Sequence, residues 1–182
     1  MTESAEPGTS GAMLLPPSVR SPAAKGLTAA AAKGRFELQV CRNCSAVQYP
    51  PREACHRCLG STLDWTLQDG AGELMAETLL FHSHDEFFRP YLPIRLGLVR
   101  LDCGPTAVVY VDDTIPAEPG PAPGPATAAA APVATPTPTT TTTRVRVTAH
   151  LDQAGNAALV AMLSTAAAPL TGTLNLLLRP PT

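Results

Sequence analysis

The chain has 182 residues and a formal charge of −2, and no stretch approaches the ~18 consecutive apolar residues of a membrane-spanning helix. Its 45% hydrophobic content overstates the core, because much of it is alanine in low-complexity runs and only 4% is aromatic. Twenty prolines and 13 glycines predict long irregular segments, and the near-neutral charge argues against a dedicated nucleic-acid binder.

Residues 1–20 read as a disordered leader. The start is acidic (Glu3, Glu6), and Pro16-Pro17 interrupts the apolar patch at residues 12–15, which does not fit a secretory signal. Residues 18–35 carry Arg20, Lys25, Lys33 and Arg35 with no acid, a pattern that transit peptides share with ordinary basic tails. The reading adopted is a cytoplasmic protein. Residues 21–35 predict a short helix, with Ser21 as the cap, Pro22 in the first turn and Gly34 as the stop. Gly26 weakens it and Leu27 is its one large apolar side chain, so it must dock to persist.

Residues 36–70 carry the strongest chemical signal. Phe36, Leu38 and Val40 alternate as a strand that feeds Cys41-Arg42-Asn43-Cys44, and ten residues later comes Cys55-His56-Arg57-Cys58. Each C-x-x-C pair presents two thiolates from one turn, and two facing turns complete the tetrahedron that zinc accepts. Four sulfurs leave no open position, so Cys41, Cys44, Cys55 and Cys58 predict a structural zinc site. Iron in a rubredoxin-like site competes, since tetrahedral sulfur suits both metals. Two disulfides would need an oxidising compartment. His56 reads as a solvent-facing turn residue. After Pro50-Pro51-Arg52, Leu63, Trp65 and Leu67 form a second alternating strand with Trp65 as its anchor, and Asp69-Gly70 turns the chain.

Residues 71–163 predict a second β unit with strands at 73–82, 94–101, 106–111, 144–151 and 157–163. In the first of these, Leu74, Ala76, Thr78 and Leu80 are expected to share a face. Residues 116–143 form a Pro/Ala/Thr-rich insert and residues 164–182 a tail. Five short strands with one long excursion fit an OB-type barrel. Lengthening that excursion by some two dozen residues costs only ~1.5 kcal/mol of closure entropy. The expected fold is therefore mainly β: a rubredoxin-like zinc ribbon followed by a five-stranded OB-type barrel.

Cys41-x-x-Cys44, Tyr49-Pro50-Pro51-Arg52, Cys55-x-x-Cys58, Trp65 and Gly72, followed by the barrel block, resemble the zinc ribbon plus OB-fold family of small subunits associated with thiolases and acyl-CoA hydratases. The later run from Leu92 through Gly104-Pro105 is similar to the small subunit of benzylsuccinyl-CoA thiolase. The resemblance implies a subunit without catalytic residues of its own, which braces a partner and helps to hold CoA. The long insert and the lack of a glycine before the fourth barrel strand depart from the family pattern.

Arg52, stiffened by two prolines, is the candidate contact for a CoA phosphate or a partner's acid, with plain solvent exposure as the competing reading. Arg89, Arg95 and Arg100 form a second candidate anion site or are scattered surface arginines. His82 and His84 beside Asp85 and Glu86 offer a weak metal or acid–base cluster. Phe87, Phe88 and Tyr91 read either as a partner-contacting loop or as packing over the barrel mouth. Cys103 reads as a free thiol. Three functions compete: an accessory subunit of a thiolase-like or acyl-CoA hydratase-like enzyme, a nucleic-acid-binding module, and an iron electron carrier. A stand-alone enzyme is disfavoured, because no nucleophile–base pair or phosphate loop is visible.

Overall fold

The computed structural model describes residues 14–116 and 143–164. Almost all of the tail and of the insert and most of the leader lie outside the described residues.

The predicted helix forms in two parts. A single 3-10 turn covers Pro22–Ala24, capped by Ser21 Oγ accepting from the Ala24 amide, and it runs into α1 (Lys25–Ala31). Its apolar face is small, as expected, and it survives by docking: Leu27, Ala30 and Ala31 are all buried. Gly26 has a packing reason. A Cβ there would stand 2.1 Å from Trp65 Cε2, so the indole lies directly on the helix backbone. Thr28 Oγ1 accepts from the Ala157 amide at 3.2 Å and ties the helix to the barrel.

The ribbon is a three-stranded antiparallel sheet of β1 (Glu37–Cys41), β2 (Val47–Gln48) and β3 (Leu63–Leu67), in the order β2-β1-β3. Phe36 and Leu38 are buried as the alternation requires. The opposite face is not simply solvated, because Gln39 and Gln48 are buried as well.

The remaining strands are β4 (Ala71–Leu80), β5 (Ile94–Leu101), β6 (Thr106–Val111), β7 (Thr143–Leu151) and β8 (Ala157–Leu163). They close into a barrel in the order β4-β5-β6-β8-β7, with β6 and β8 parallel and every other pair antiparallel. Closure with the third and fifth strands adjacent is the Greek-key arrangement of an OB barrel.

One expectation about β4 fails. A bulge between Leu74 and Ala76 shifts the register, so that Leu74 faces Val99 while Ala76 faces Leu98 and Glu77 faces Gly97. An extra residue reverses the alternation beyond it. Leu74 packs on the barrel core, whereas Ala76 and Thr78 are exposed.

A single apolar cluster runs through both sheets. Leu27, Phe36 and Leu38 join Val99, Val109, Val145, Val147 and Leu159, with Trp65 and Tyr49 packed at the seam. A second, smaller cluster lies on the outer face of β5, β6 and β8. There a 3-10 helix (Glu86–Tyr91) buries Phe87 against Ile94 and Val160, with Phe88, Tyr91 and Tyr110 partly covered. Asp85 starts that helix by accepting from the Phe87 amide at 2.9 Å. The aromatic loop is therefore packed on the barrel at Phe87.

Candidate metal centre and the adjoining cleft

The two cysteine turns are built alike. In the first, the Ser45 amide donates to Cys41 O at 2.8 Å and the Cys41 amide to Ala46 O at 3.0 Å. In the second, the Leu59 amide donates to Cys55 O at 3.0 Å and the Cys55 amide to Gly60 O at 2.8 Å. The residue after each second cysteine adopts a left-handed conformation, Ser45 with φ 58° and Leu59 with φ 59°. Each turn thus folds back on itself and points two sulfurs the same way. Gly60 eases the close approach, since a Cβ there would come within 2.5 Å of Nδ2 of the exposed Asn43 side chain on the facing turn, which would have to swing aside.

The four Sγ atoms lie within 4.8 Å of one another. The Cys41–Cys58 and Cys44–Cys55 pairs stand 3.5 and 3.6 Å apart. A tetrahedron with metal–sulfur bonds of about 2.3 Å has edges of about 3.8 Å, so the donor set fits one tetrahedral ion. The four cysteines form a metal-binding ribbon. No other group of histidine, cysteine or acidic side chains among the described residues gathers in this way.

The electrostatics favour a cation here. The backbone N–H groups of Cys58 and then Arg57 pull the Cys55 thiol down to about 6. At Cys58 the N–H of Gly60 acts in the same sense, but the neighbouring sulfurs of Cys44 and Cys41, together with burial, push the thiol up to about 12. Negative charge therefore collects on Cys55, a buried sulfur beside three others, where a divalent ion offsets it.

The buried glutamines hold the second turn in place. The register that closes Cys41 on Ala46 also sets Gln39 opposite Gln48 across β1 and β2. Gln48 Nε2 donates to Gln39 Oε1 at 3.0 Å, and Gln39 Oε1 also accepts from the Arg52 amide at 2.8 Å. Gln48 Oε1 accepts from the His56 amide at 3.1 Å. Reasoning from sequence missed both side chains. The available signal was a polar residue two places before Cys41, facing a second one across a hairpin whose register the knuckle sets.

His56 is exposed and lies outside the sulfur cluster. Arg52 is exposed too, and its side chain opens onto a cleft of about 530 Å³ between ribbon and barrel. Tyr49, His56 and Arg57 line the cleft from the ribbon, and the Cys103-Gly104-Pro105-Thr106 turn lines it from the barrel. A second cavity of about 490 Å³ also touches Tyr49 and continues over the outer barrel face past Val108, Tyr110 and Phe88.

The other arginines do not converge on an anion site. Arg95 pairs with Glu77, Arg100 with Glu73 and Arg89 with Glu86. The histidine rings of His82 and His84 meet edge to face, 5.0 Å apart, on the connection that follows β4. Cys103 is a half-buried free thiol whose titration is pushed up, mainly by burial.

Residues 28–64 match the family described as "ChsH2, rubredoxin-like zinc ribbon domain". This segment is similar to that zinc ribbon domain. Among solved structures, the chain of the "Ltp2-ChsH2(DUF35) aldolase" is 17% identical with a TM-score of 0.57, over 82% of this chain and 100% of that one. At that identity the likeness concerns the fold alone. A DUF35-family protein of unknown function from Sulfolobus solfataricus is also 17% identical, over 52% of this chain and 72% of that one, with a TM-score of 0.40. No curated protein gives a significant sequence match. No helix among the described residues is long and apolar enough to cross a membrane.

Proposed function

We propose that this chain is a non-catalytic, zinc-containing subunit that braces a thiolase-like or acyl-CoA hydratase-like partner in the cytoplasm and lends Arg52 to the binding of CoA. The single observation that carries the reading is the cleft where ribbon meets barrel, with Arg52, His56 and Arg57 on its ribbon wall. Exposed guanidinium groups suit the phosphates of CoA, because a planar fork of N–H donors matches phosphate oxygens. Tyr49 lines both this cleft and the more apolar cavity over the barrel face, and a ligand with a charged head and an apolar arm suits the two together.

The metal's part is structural. Cys41, Cys44, Cys55 and Cys58 would hold it, and four sulfur donors leave no site for substrate. Zinc is favoured over iron by the ribbon's family description. Ribbon (36–70) and barrel (71–163) act as one body, since α1 and the shared apolar cluster join them. Support for an enzyme partner comes from the fold shared with a chain of the Ltp2-ChsH2(DUF35) aldolase.

The test is affinity purification of the tagged chain from its native host, with metal analysis of the eluate and titration of the recovered complex with CoA. A thiolase-fold protein and about one zinc per chain are expected. Arg52→Ala should weaken CoA binding about tenfold without loss of metal or partner. Recovery of the chain alone, or bound to oligonucleotide, sinks the proposal.

A further inference from the structure

Among the described residues, no strand covers the outer edge of β4. The strand pairs with β5 as far as Leu80, but among the described residues it pairs with β7 only over Ala71–Leu74, where Thr143, the first described residue after the insert, stands opposite Leu74. From Met75 on, its second edge faces no strand among the described residues. This same stretch exposes large apolar side chains: Met75 is 47% exposed, Leu79 44% and Phe81 72%. An edge that is both unpaired and apolar invites strand addition.

We infer that the C-terminal segment of this chain, residues 170–178, docks on that edge as an added strand. Three observations select it as the occupant. The first is position. Leu163 pairs with Val145, and the Ser164 amide reaches Arg144 O, so the described chain stops two strand lanes from the point where β4 loses its partner. Two lanes are about 9.6 Å, and the five residues 165–169 span that with ease at about 3.3 Å per residue. The second is direction. β8 and β4 both run antiparallel to β7, so a chain leaving β8 travels parallel to β4 past the end of β7.

The third is pattern. Leu170, Leu174, Leu176 and Leu178 share one parity with Gly172, while Thr171, Thr173, Asn175 and Arg179 fall on the other with Leu177 as the one apolar exception, and Pro169 and Pro180-Pro181 are brackets. This is the period of a strand with one apolar face, and its length suits the stretch from Met75 to Phe81. Docking satisfies the free backbone groups of β4 and covers its apolar side chains with leucine.

Hydrogen exchange read by mass spectrometry on the metal-loaded full chain tests this. Peptides covering residues 75–81 should exchange about tenfold more slowly in the full chain than in a chain ending at Ser164. The full-length triple variant Leu174→Asn, Leu176→Asn and Leu178→Asn should match the shortened chain, while β7 and β8 peptides stay unchanged in all three. Equal exchange in the full and shortened chains overturns the inference. Protection that survives the triple variant assigns the edge to another segment, and protection that grows with protein concentration assigns it to a second copy; either result overturns it as well.

Discussion

Gln48 makes the case at the scale of a single residue. Its amide bridges the first hairpin and the second cysteine turn, donating to Gln39 and accepting from the His56 backbone. It is 2% exposed, so water cannot replace either partner. Gln48→Leu fills the space but strands the His56 N–H and takes a donor from Gln39. Leaving buried polar groups unpaired costs about 1–3 kcal/mol. Loosening the support behind metal ligands also lowers affinity, by roughly 10–100-fold. The variant should therefore keep its fold in excess metal, unfold at lower urea, and surrender the ion to a weaker competing chelator. An unchanged chelator midpoint would show that the glutamine pair braces the sheet but not the site. The four cysteines were legible because metal-ligand spacing is local. The glutamines were not, because they become partners only once the register between β1 and β2 is known.

The same distinction separates what could be read of each element. Strand positions in the barrel followed from alternation and turn residues, and β5, β6 and β8 begin and end where expected. The bulge in β4 left no such trace, and it decides what Arg95 does. With Glu77 turned inward, both of its oxygens accept from Arg95, at 2.7 and 3.0 Å, while the remaining guanidinium nitrogen donates to Ile115 O at 2.8 Å. Both side chains are about 15% exposed (15% and 16%), so the pair closes the end of the barrel and is unavailable to a ligand. Unbulged alternation places Glu77 outside and leaves Arg95 looking free. Glu77→Ala removes the partner of a largely buried cation and should cost about 3 kcal/mol. Replacing both, Glu77→Leu with Arg95→Met, should recover most of that loss, because an apolar pair of similar size needs no desolvation. Urea unfolding of the three proteins checks this. If the double variant is as unstable as the single one, the carbonyl contacts of Arg95 matter more than its ion pair.

For the molecule as a whole, the question is whether the ribbon is an appendage or part of the fold. A ribbon this short has almost no core of its own, and on that ground it should fall apart without metal. The structure adds that its apolar residues are shared: Phe36 and Leu38 belong to one buried cluster with Leu27 of the helix and the barrel valines. Trp65 lies at that seam, on the backbone of Gly26. Loss of the ion should therefore reach beyond the ribbon. Structural zinc contributes roughly 10–16 kcal/mol of apparent binding free energy in small finger domains, more than a shared core can replace. When a strong chelator strips the metal, the ribbon should unfold, freeing Trp65, and α1 should leave the barrel with it. The expected signature is a red shift of tryptophan emission together with a lower melting temperature of the remaining β signal. Added zinc should restore both under reducing conditions. Four Cys→Ser variants should reproduce the metal-free behaviour, with Cys55→Ser at least as severe as Cys58→Ser, since the first sulfur is buried and the second exposed. A barrel that melts at the same temperature with and without the ion would mean that the common apolar cluster couples the two sheets in contact only, and that the ribbon can come and go while the barrel stands.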